Sequence, residues 1–338
     1  MTADTALGGT SRRPSVVVAV DGGGEKTDAV VLTIEGELRA RVTGPGSSPR
    51  VAGVEKAAAT LEDIVGTVLA EAGETTPDGV HAFVSGLNLP DDTVALRAAL
   101  GRAPWTHRAV LTLDNDMPAL LRAGTDAADA VAVVCGTGIN ALGVRADGAT
   151  ATFAALGTIS GDWGGGWELG QQALWHAARS RDGRGPATLL ADAIPAAFGM
   201  STLDDVIAAL DGGRLPHAEL RRLAPVLLTA ATSGDEVAGA LVDRQADEII
   251  TLACAALNRL QLSNAAVPVV FGGGVIASGN PRLSRGIRDG LAERAPHAHP
   301  VLLKTAPIVG AGVLAVAAAG GDDHARARAR AALTAGQH

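Results

Sequence analysis

Short apolar runs alternate along the chain with segments whose apolar residues are spaced as on one face of a helix. Residues 15–20 read SVVVAV, residues 29–34 read AVVLTI, and a third run follows at 38–42, so the chain is predicted to open with a β-meander. Residues 54–72 have helical spacing and stop before Gly73, which predicts a helix ended by a glycine. The elements expected next are strands at 80–84 and 109–113 and helices at 93–100 and 116–123.

The same order then begins again. Residues 130–135 predict a buried strand, and further strands are expected at 140–145 and 151–155. A loop rich in Gly and Trp is expected at 161–170, before a long helical stretch at 169–262 that is broken by glycines. The breaks are expected at Gly183, Gly199, Gly212, Gly213 and Gly234, and the closing elements are strands at 267–271 and 300–303 and a helix at 308–319. Because three strands followed by mixed helices and strands occur twice, we predict two related α/β domains of unequal size, the second with a helical insert.

Composition limits what this α/β protein can be. The chain has 338 residues, enough for about two domains. Its formal net charge of −8 argues against a general nucleic-acid binder, which would carry a basic face. Its 2 cysteines exclude a disulfide scaffold and any zinc or iron–sulfur site that takes four cysteines from one chain.

The two ends of the chain bear on membrane and nucleic-acid binding. Residues 1–14 have no apolar central region, so they are expected to form a short disordered leader and not a secretory signal. No apolar run is long enough for a transmembrane helix, and a cytoplasmic protein without a membrane partner is expected. The tail at 322–338 contains Arg residues that alternate with Ala; a solvated helix end is expected there, with a nucleic-acid-binding tail as the alternative.

Glycines cluster directly after three of the predicted strands. The clusters are Asp21-Gly22-Gly23-Gly24-Glu25-Lys26-Thr27, Gly136-Thr137-Gly138 and Gly272-Gly273-Gly274. Glycine-rich turns let backbone N–H groups face an anion, and ligands of such folds bind beyond the strand ends. The first two clusters suit phosphates, with a cation from Lys26, a hydroxyl from Thr27 and a hydrated Mg²⁺ held by Asp21, and the third suits a nucleobase or ribose. Each cluster alone could be an ordinary turn, so the prediction of a ligand cleft depends on all three.

Two further segments carry candidate chemistry. Asp114, Asn115 and Asp116 follow a predicted strand and open a helix, so either aspartate could be a general base, with an ordinary helix N-cap as the alternative. The loop at 160–170 holds two carboxylates and two of the chain's 4 tryptophans, namely Asp162, Glu168, Trp163 and Trp167. Tryptophans beside carboxylates suit a polar small molecule such as a sugar; the alternative is a tryptophan pair that fills a void over the cleft.

Together these motifs resemble N-acetylglucosamine kinases and, more broadly, the BadF/BadG/BcrA/BcrD ATPase family, which joins them to the ATPases of benzoyl-CoA and hydroxyacyl-CoA dehydratase activation. The resemblance runs from about Ser15 to Ala319, and the family belongs to the actin, sugar-kinase and heat-shock-chaperone superfamily. It implies two ribonuclease-H-like domains, 15–113 and 114–307, with an interdomain cleft and a helical insert at about 169–262. Whether the closing segment, 308–333, packs back on the first domain is left open.

The resemblance also implies roles for individual residues. Asp116 matches the catalytic aspartate that accepts the proton of the sugar hydroxyl, and Asn115 and Asn140 fall where family members touch or orient the sugar. Two phosphate loops and a border for adenosine are implied at 21–27, 136–138 and 272–274, in that order. The cofactors are ATP and Mg²⁺, with Asp21 near the metal. The implied reaction transfers the γ-phosphoryl group of ATP to an amino sugar, N-acetylglucosamine or a related hexosamine, and a homodimer is left open.

Three departures from the family pattern leave the identity of the sugar open. Glu25 stands where the family usually has Thr, which puts a negative charge near the phosphates. Ser48 stands where an Asn commonly contacts the sugar, and is kept as a candidate sugar contact. The family's Gly-Asp-Glu-Gly run is altered, here reading GWELG at 166–170, so the sugar-binding acid would be either Glu168 or Asp162.

Two other functions remain open for this family. One is a BadF-type ATPase that drives electron transfer, and the other is a nucleotide-dependent regulator without sugar kinase activity. The electron-transfer ATPases hold an iron–sulfur cluster between subunits with a cysteine from each chain. Cys135 falls in a predicted phosphate loop and Cys254 in a predicted helix, so neither resembles a cluster ligand.

Overall fold

The computed structural model describes residues 15–335, so the leader expected at 1–14 and the tail residues 336–338 lie outside the described part. The strands are β1 (Val16–Gly22), β2 (Lys26–Thr33), β3 (Leu38–Pro45), β4 (Gly79–Val84), β5 (Val110–Asp114), β6 (Ala130–Cys135), β7 (Ile139–Val144), β8 (Thr150–Thr152), β9 (Pro268–Gly272) and β10 (His299–Leu302). The helices are α1 (Pro49–Ala52), α2 (Val54–Glu71), α3 (Pro90–Leu100), α4 (Met117–Gly124), α5 (Gly165–Arg181), α6 (Leu190–Ala197), α7 (Leu203–Asp211), α8 (Leu223–Thr232), α9 (Glu236–Arg259), α10 (Gly274–Ala277), α11 (Pro281–Arg294), α12 (Ile308–Ala318) and α13 (Asp323–Ala335). Short 3-10 turns lie at Pro104–His107, Gly157–Ser160 and His217–Arg222.

The strands form two five-stranded sheets with the same topology, β3-β2-β1-β4-β5 and β8-β7-β6-β9-β10. In each sheet an antiparallel meander supplies the first strands, and the remaining two lie parallel to the first strand of the meander. The duplicated α/β fold expected from the sequence is therefore confirmed. No helix of the described residues is both long and apolar enough to cross a bilayer.

The continuous apolar runs of the central strands follow from burial on both faces of each sheet. Alternate residues of β1 enter two different cores: Val16, Val18 and Val20 pack with α2, and Val17 and Ala19 pack with α12. In the second sheet, β6 likewise faces the core of the helical insert on one side and α4 on the other. The side-chain period of two thus explains why these strands read as unbroken apolar segments.

The two halves exchange their closing helices. Helix α4 follows the first sheet in the chain but packs under the second, through Met117 and Leu120. Helix α12 follows the second sheet but packs under the first. The two helices cross so closely that a Cβ on Gly310 would lie 1.9 Å from the carbonyl oxygen of Ala119 and 2.5 Å from the backbone nitrogen of Ala123.

The helical insert, the segment after β9 and the tail differ from expectation. The glycine breaks lie between helices as expected, but the predicted Gly/Trp loop ends early, because α5 already begins at Gly165. Helix α11 was not predicted. The tail is not a fully solvated helix end, because α13 buries Ala325, Ala329 and Leu333 against the first half.

Gly310→Ala is expected to lower the free energy of unfolding by about 1–3 kcal/mol, because the added methyl group overlaps backbone atoms of α4. The matched control is Gly66→Ala inside α2, where a Cβ meets no atom within 4 Å. That change is expected to raise the free energy of unfolding by up to about 1 kcal/mol, since alanine is the better helix former. Urea unfolding of both variants measures the contrast. Equal stabilisation by the two changes would show that the helix crossing is not tight.

Candidate active site

The three predicted glycine clusters meet at one cleft between the two sheets. A cavity of about 1120 Å³ lies there, lined by residues of both halves of the chain. The residues predicted for the site that line this cavity are Asp21, Gly23, Gly24, Lys26, Asp116, Gly136, Thr137, Gly273 and Gly274. The duplicated topology is reflected in this meeting, because the hairpins that follow the equivalent strands β1 and β6 both line the cavity.

The β1–β2 hairpin is held in place by the segment after β3. The carbonyl oxygen of Gly23 accepts hydrogen bonds from the backbone N–H groups of Ser47 at 3.0 Å and Ser48 at 3.2 Å. Behind the hairpin, the buried Thr27 hydroxyl donates to Oγ of Ser47 at 2.9 Å, and a Cβ on Gly22 would lie 2.4 Å from that oxygen. Gly22, Thr27 and Ser48 therefore support the loop from behind and lie outside the cavity walls. Ser47 was missed from the sequence, since only its tertiary contacts distinguish it.

The β6–β7 hairpin is held against the start of α5. The N–H of Gly166 donates to the carbonyl oxygen of Gly136 at 2.7 Å, and the N–H of Trp167 donates to that of Thr137 at 3.0 Å. These bonds satisfy N–H groups that a helix leaves free in its first turn. They explain why a segment with three consecutive glycines begins a helix, and they make α5 and the second loop one unit.

The end of β9 forms the third side of the cleft. Gly273 has a φ of 96°, and a Cβ there would lie 2.4 Å from the carbonyl oxygen of Cys135, so this position requires glycine. The adjoining Gly272 ends the buried strand β9 and lies behind the cavity wall. Gly138, in the second loop, also lies outside the wall but contacts α5, since a Cβ on Gly165 would lie 2.5 Å from its Cα.

The wall beyond Gly274 was not predicted. It consists of α8 and the α10–α11 corner, with Pro225, Leu228, Val275 and Ser278 among its residues. Asn280 joins these helices: its Nδ2 donates to the carbonyl oxygen of Leu228 at 2.9 Å, and its Oδ1 accepts from the N–H of Leu283 at 3.0 Å. The sequence signal for this corner was Asn280-Pro281, a residue suited to an N-cap followed by proline at the first helical position.

Three carboxylates line the large cavity, and the two aspartates, Asp21 and Asp116, have pKa values near neutrality. Burial, followed by the negative charges of Asp116 and Asp28, raises the pKa of Asp21 to about 7 against the opposing charge of Lys26. Burial raises the pKa of Asp116 to about 6. Lys26 is an incomplete counter-charge for Asp21, because its ammonium group pairs with the buried Asp28 at 2.9 Å. The pair therefore favours a cation or a proton.

The N-cap and general-base interpretations of residues 114–116 apply to different residues. The side chain of Asp116 makes no capping hydrogen bond to α4. Asn115 takes that role instead, since its Oδ1 accepts from the N–H of Met117 at 3.0 Å. The carboxylate of Asp116 is thereby left to face the cavity.

A second cavity of about 520 Å³ lies beside the first. Asn115, Asn140, Asn88 and Phe153 are among the residues that line it. Asn115 Nδ2 donates to Asn88 Oδ1 at 2.9 Å, and Asn88 Nδ2 donates to the carbonyl oxygen of Ala155 at 3.0 Å, which links the two halves of the chain. Asp116 lines the large cavity while its neighbours Asn115 and Met117 line the small one, so Asp116 stands where the two adjoin. Asn88 had no sequence signal beyond its place after a strand.

Gly166 of the Gly/Trp segment lines the large cavity, but the side chains predicted to contact the sugar do not line either cavity. Asp162, Trp163, Trp167 and Glu168 are all absent from both walls. Trp163 is 8% exposed and packs in the core of the insert, with the guanidinium of Arg244 at 4.0 Å from its ring centre. The void-filling alternative thus describes Trp163, while Glu168 accepts a hydrogen bond from Gln172 and Asp162 from Ser160. Which of the two acids binds a sugar stays a prediction.

The cysteines lie apart from any metal-ligand cluster. Burial raises the pKa of the Cys135 thiol to about 12, so it is not a thiolate near neutral pH. Cys254 is partly buried on α9, and burial raises the pKa of its thiol as well. Within residues 15–335, no three His, Cys, Asp or Glu side chains come together as a metal site.

Comparisons with known proteins agree with this arrangement. A model of the BadF/BadG/BcrA/BcrD ATPase family matches residues 18–315. The N-acetyl-D-glucosamine kinase of Dictyostelium discoideum is 25% identical over 318 residues, 89% of this chain and 98% of that protein. The N-acetylmuramic acid/N-acetylglucosamine kinase of Clostridium acetobutylicum is 24% identical over 262 residues, 77% of this chain and 85% of that protein. A solved structure from Chromobacterium violaceum, assigned as an N-acetylglucosamine kinase, shares the fold with a TM-score of 0.68 at 23% identity, over 89% of this chain and 99% of that one.

Asp116→Asn is expected to stabilise the ligand-free protein at pH 8. The pKa of Asp116 is raised in the folded state, so folding favours its protonated form, and wild-type stability falls as pH rises from about 4 through 6. The isosteric amide carries no charge, so it avoids this loss and also removes the repulsion between the Asp116 and Asp21 carboxylates. The expected increase in the free energy of unfolding is about 1–3 kcal/mol. Urea unfolding at pH 8 and pH 4 measures it, with exposed Asp63→Asn on α2 as control. A gain that persists unchanged at pH 4 would contradict the explanation.

Proposed function

The chain belongs to the BadF/BadG/BcrA/BcrD ATPase family, and from that premise we propose that it is an ATP-dependent sugar kinase. It transfers the γ-phosphoryl group of ATP to a hydroxyl of an amino sugar, N-acetylglucosamine or a related hexosamine. The observation that carries this proposal is the position of Asp116, at the point where a large cavity with glycine loops adjoins a smaller cavity with three asparagines. The names of both curated relatives, which are kinases of N-acetylated amino sugars, support the choice of acceptor.

The large cavity takes ATP. Its triphosphate lies between the β1–β2 hairpin and the β6–β7 hairpin, and the adenosine follows Gly273 and Gly274 towards α8. Phosphoryl transfer requires positioning and charge neutralisation more than covalent chemistry, and backbone N–H groups of glycine turns meet both needs. Because the hairpins belong to different halves of the chain, the two halves together fix the line between donor and acceptor.

The carboxylates of the cleft fit a magnesium ion that arrives with ATP. Asp21 is an oxygen donor whose pKa is raised by burial and by the negative charges of Asp116 and Asp28, and such hard donors suit Mg²⁺. Its other ligands would be phosphate oxygens and water, which Mg²⁺ commonly keeps when it binds with a nucleotide. When bound, the ion neutralises charge on the transferring phosphate. Asp21 is the residue that would hold it, through water.

Asp116 is the general base. It accepts the proton of the attacking sugar hydroxyl, and its pKa of about 6 is close to the pH at which a base works best. Asn115 is fixed by its bonds to α4 and Asn88, and with Asn140 it offers amide groups to the sugar. Ser48, Asp162 and Glu168 lie outside both cavity walls, and their contact with the sugar stays a prediction.

The cysteines disfavour the iron–sulfur alternative. A cluster shared between subunits needs an accessible thiolate, and Cys135 is buried with its pKa raised to about 12. Cys254 is also partly buried.

We propose in addition that the kinase acts in the cytoplasm, where ATP is supplied.

Asp116→Ala is expected to abolish sugar phosphorylation while ATP binding survives. The substitution removes the base but leaves both glycine hairpins, so kcat falls by about 10²–10⁴-fold. A coupled assay of ADP release measures turnover, and calorimetric titration with ATP measures binding. Asp63→Ala, an exposed substitution on α2, serves as control. Turnover of the Asp116 variant near that of the wild type would remove this residue from the mechanism.

The acceptor is tested by a panel of sugars. ADP release is measured with N-acetylglucosamine, glucosamine, glucose, N-acetylmannosamine and N-acetylmuramic acid. We expect an N-acetylated amino sugar to give the highest kcat/KM, because both curated relatives are named as kinases of such sugars. If no sugar raises ADP release above the rate without sugar, the kinase proposal is wrong and an ATPase or regulator takes its place.

A further inference from the structure

An ion pair crosses the mouth of the large cavity. Nε of Arg221, in the 3-10 turn before α8, lies 3.2 Å from Oε1 of Glu25 at the tip of the β1–β2 hairpin. Both side chains border the cavity. We propose that Arg221 binds the phosphate groups of the nucleotide, and that Glu25 occupies this guanidinium while no nucleotide is bound. The inference rests on the proposed ATP site.

The backbone of Arg221 is fixed to the second phosphate loop. A Cβ on Gly170 of α5 would lie 1.9 Å from the carbonyl oxygen of Leu220, so the 3-10 turn packs directly on that helix. Helix α5 in turn donates to the carbonyl oxygens of Gly136 and Thr137. Arg221 therefore extends from the unit that carries one hairpin towards the tip of the other, across the space assigned to the triphosphate.

The carboxylate partner of Arg221 is easily exchanged, and the other contact of this guanidinium is a 3.4 Å hydrogen bond from Nη1 to the carbonyl oxygen of Ala218 in the same turn. The side chain of Glu25 is 72% exposed and that of Arg221 is 37% exposed, and ion pairs this open to water contribute little to stability. A guanidinium binds phosphate oxygens through charge-assisted, frequently bidentate hydrogen bonds, which are stronger. A bound triphosphate thus displaces the carboxylate by rotation of the two side chains, without movement of the backbone. The charge of Glu25, unexpected beside a phosphate loop, is accounted for as a temporary partner.

The neighbouring arginine is a matched control, because its guanidinium is committed elsewhere. Arg222 also borders the cavity, but its Nη1 lies 3.2 Å from Oε2 of Glu219 and its guanidinium carbon lies 5.2 Å from the ring centre of Phe198. Removal of its charge alters the general field of the cavity without removing the proposed contact. Comparison of the two arginines therefore separates a specific phosphate contact from a diffuse electrostatic effect.

The experiment is calorimetric titration of the whole protein with the magnesium complex of β,γ-imido-ATP and, separately, with adenosine. Arg221→Gln is expected to weaken imido-ATP binding by about 10- to 150-fold, the range of one charge-assisted contact, with adenosine binding unchanged. Arg221→Lys is expected to recover part of the loss, and Arg222→Gln to change the affinity by less than about 2-fold. Glu25→Gln is expected to strengthen imido-ATP binding by about 2- to 5-fold, because it removes a competitor. In the Arg221→Gln background, Glu25→Gln is expected to strengthen imido-ATP binding much less, because the arginine for which Glu25 competes is absent.

The possible outcomes distinguish the proposed phosphate contact of Arg221 from the proposed ATP site on which it rests. Failure of the wild type to bind imido-ATP would overturn the proposed ATP site. If Arg221→Gln binds imido-ATP as tightly as the wild type does, Arg221 does not contact the phosphates. The same conclusion follows if Arg221→Gln weakens adenosine binding as much as it weakens imido-ATP binding. If Glu25→Gln weakens imido-ATP binding as much as Arg221→Gln does, the ion pair is a structural clasp that the nucleotide needs intact. If Arg221→Gln and Arg222→Gln lose imido-ATP affinity equally, a general electrostatic effect of positive charge in the cavity explains the binding, and the specific contact is wrong.

Discussion

The close crossing of α4 and α12 is the constraint on which the site depends. Each half of the chain ends in a helix that packs under the sheet of the other half, and Gly310 lets the two helices meet at backbone contact distance. The crossing holds the two sheets so that equivalent strand ends face a common cleft. Hairpins far apart in the chain, after β1 and after β6, thereby come to line one cavity.

The same proximity creates the chemistry and its cost in stability. Asp21 and Asp116 are both buried beside the cleft, and burial raises their pKa values towards neutrality, with a further rise at Asp21 from the negative charges of Asp116 and Asp28. The ligand-free protein tolerates the unfavourable burial of these two carboxylates because its hydrophobic cores are extensive on both sides of each sheet. Asn115 caps α4 in place of Asp116, and so the carboxylate remains available to a substrate proton. Sites that trade stability for function commonly combine such unpaired charge with a rigid frame.

The sequence predicted most strands, because their apolar runs are unbroken, and it placed the glycine clusters correctly at the strand ends. What it missed depends on contacts between distant segments. Helix α11 has only a narrow apolar stripe, Leu283, Ile287 and Leu291, among charged residues, and the tail helix hides a similar stripe within its Arg and Ala residues. The start of α5 is stabilised by carbonyl oxygens of the second loop, about thirty residues away in the chain, which no local pattern records. Asn88 acquires its partner Ala155 only through the meeting of the two halves.

The central claim is that one cleft, built from both halves, aligns the phosphates of ATP with a sugar hydroxyl beside Asp116. A crystal structure with the magnesium complex of β,γ-imido-ATP and N-acetylglucosamine tests it most directly. The account predicts a triphosphate between the β1–β2 and β6–β7 hairpins, and a sugar hydroxyl within hydrogen-bond distance of the Asp116 carboxylate and in line with the γ-phosphorus. A sugar bound away from Asp116, or a nucleotide whose phosphates contact only one of the two hairpins, would contradict it.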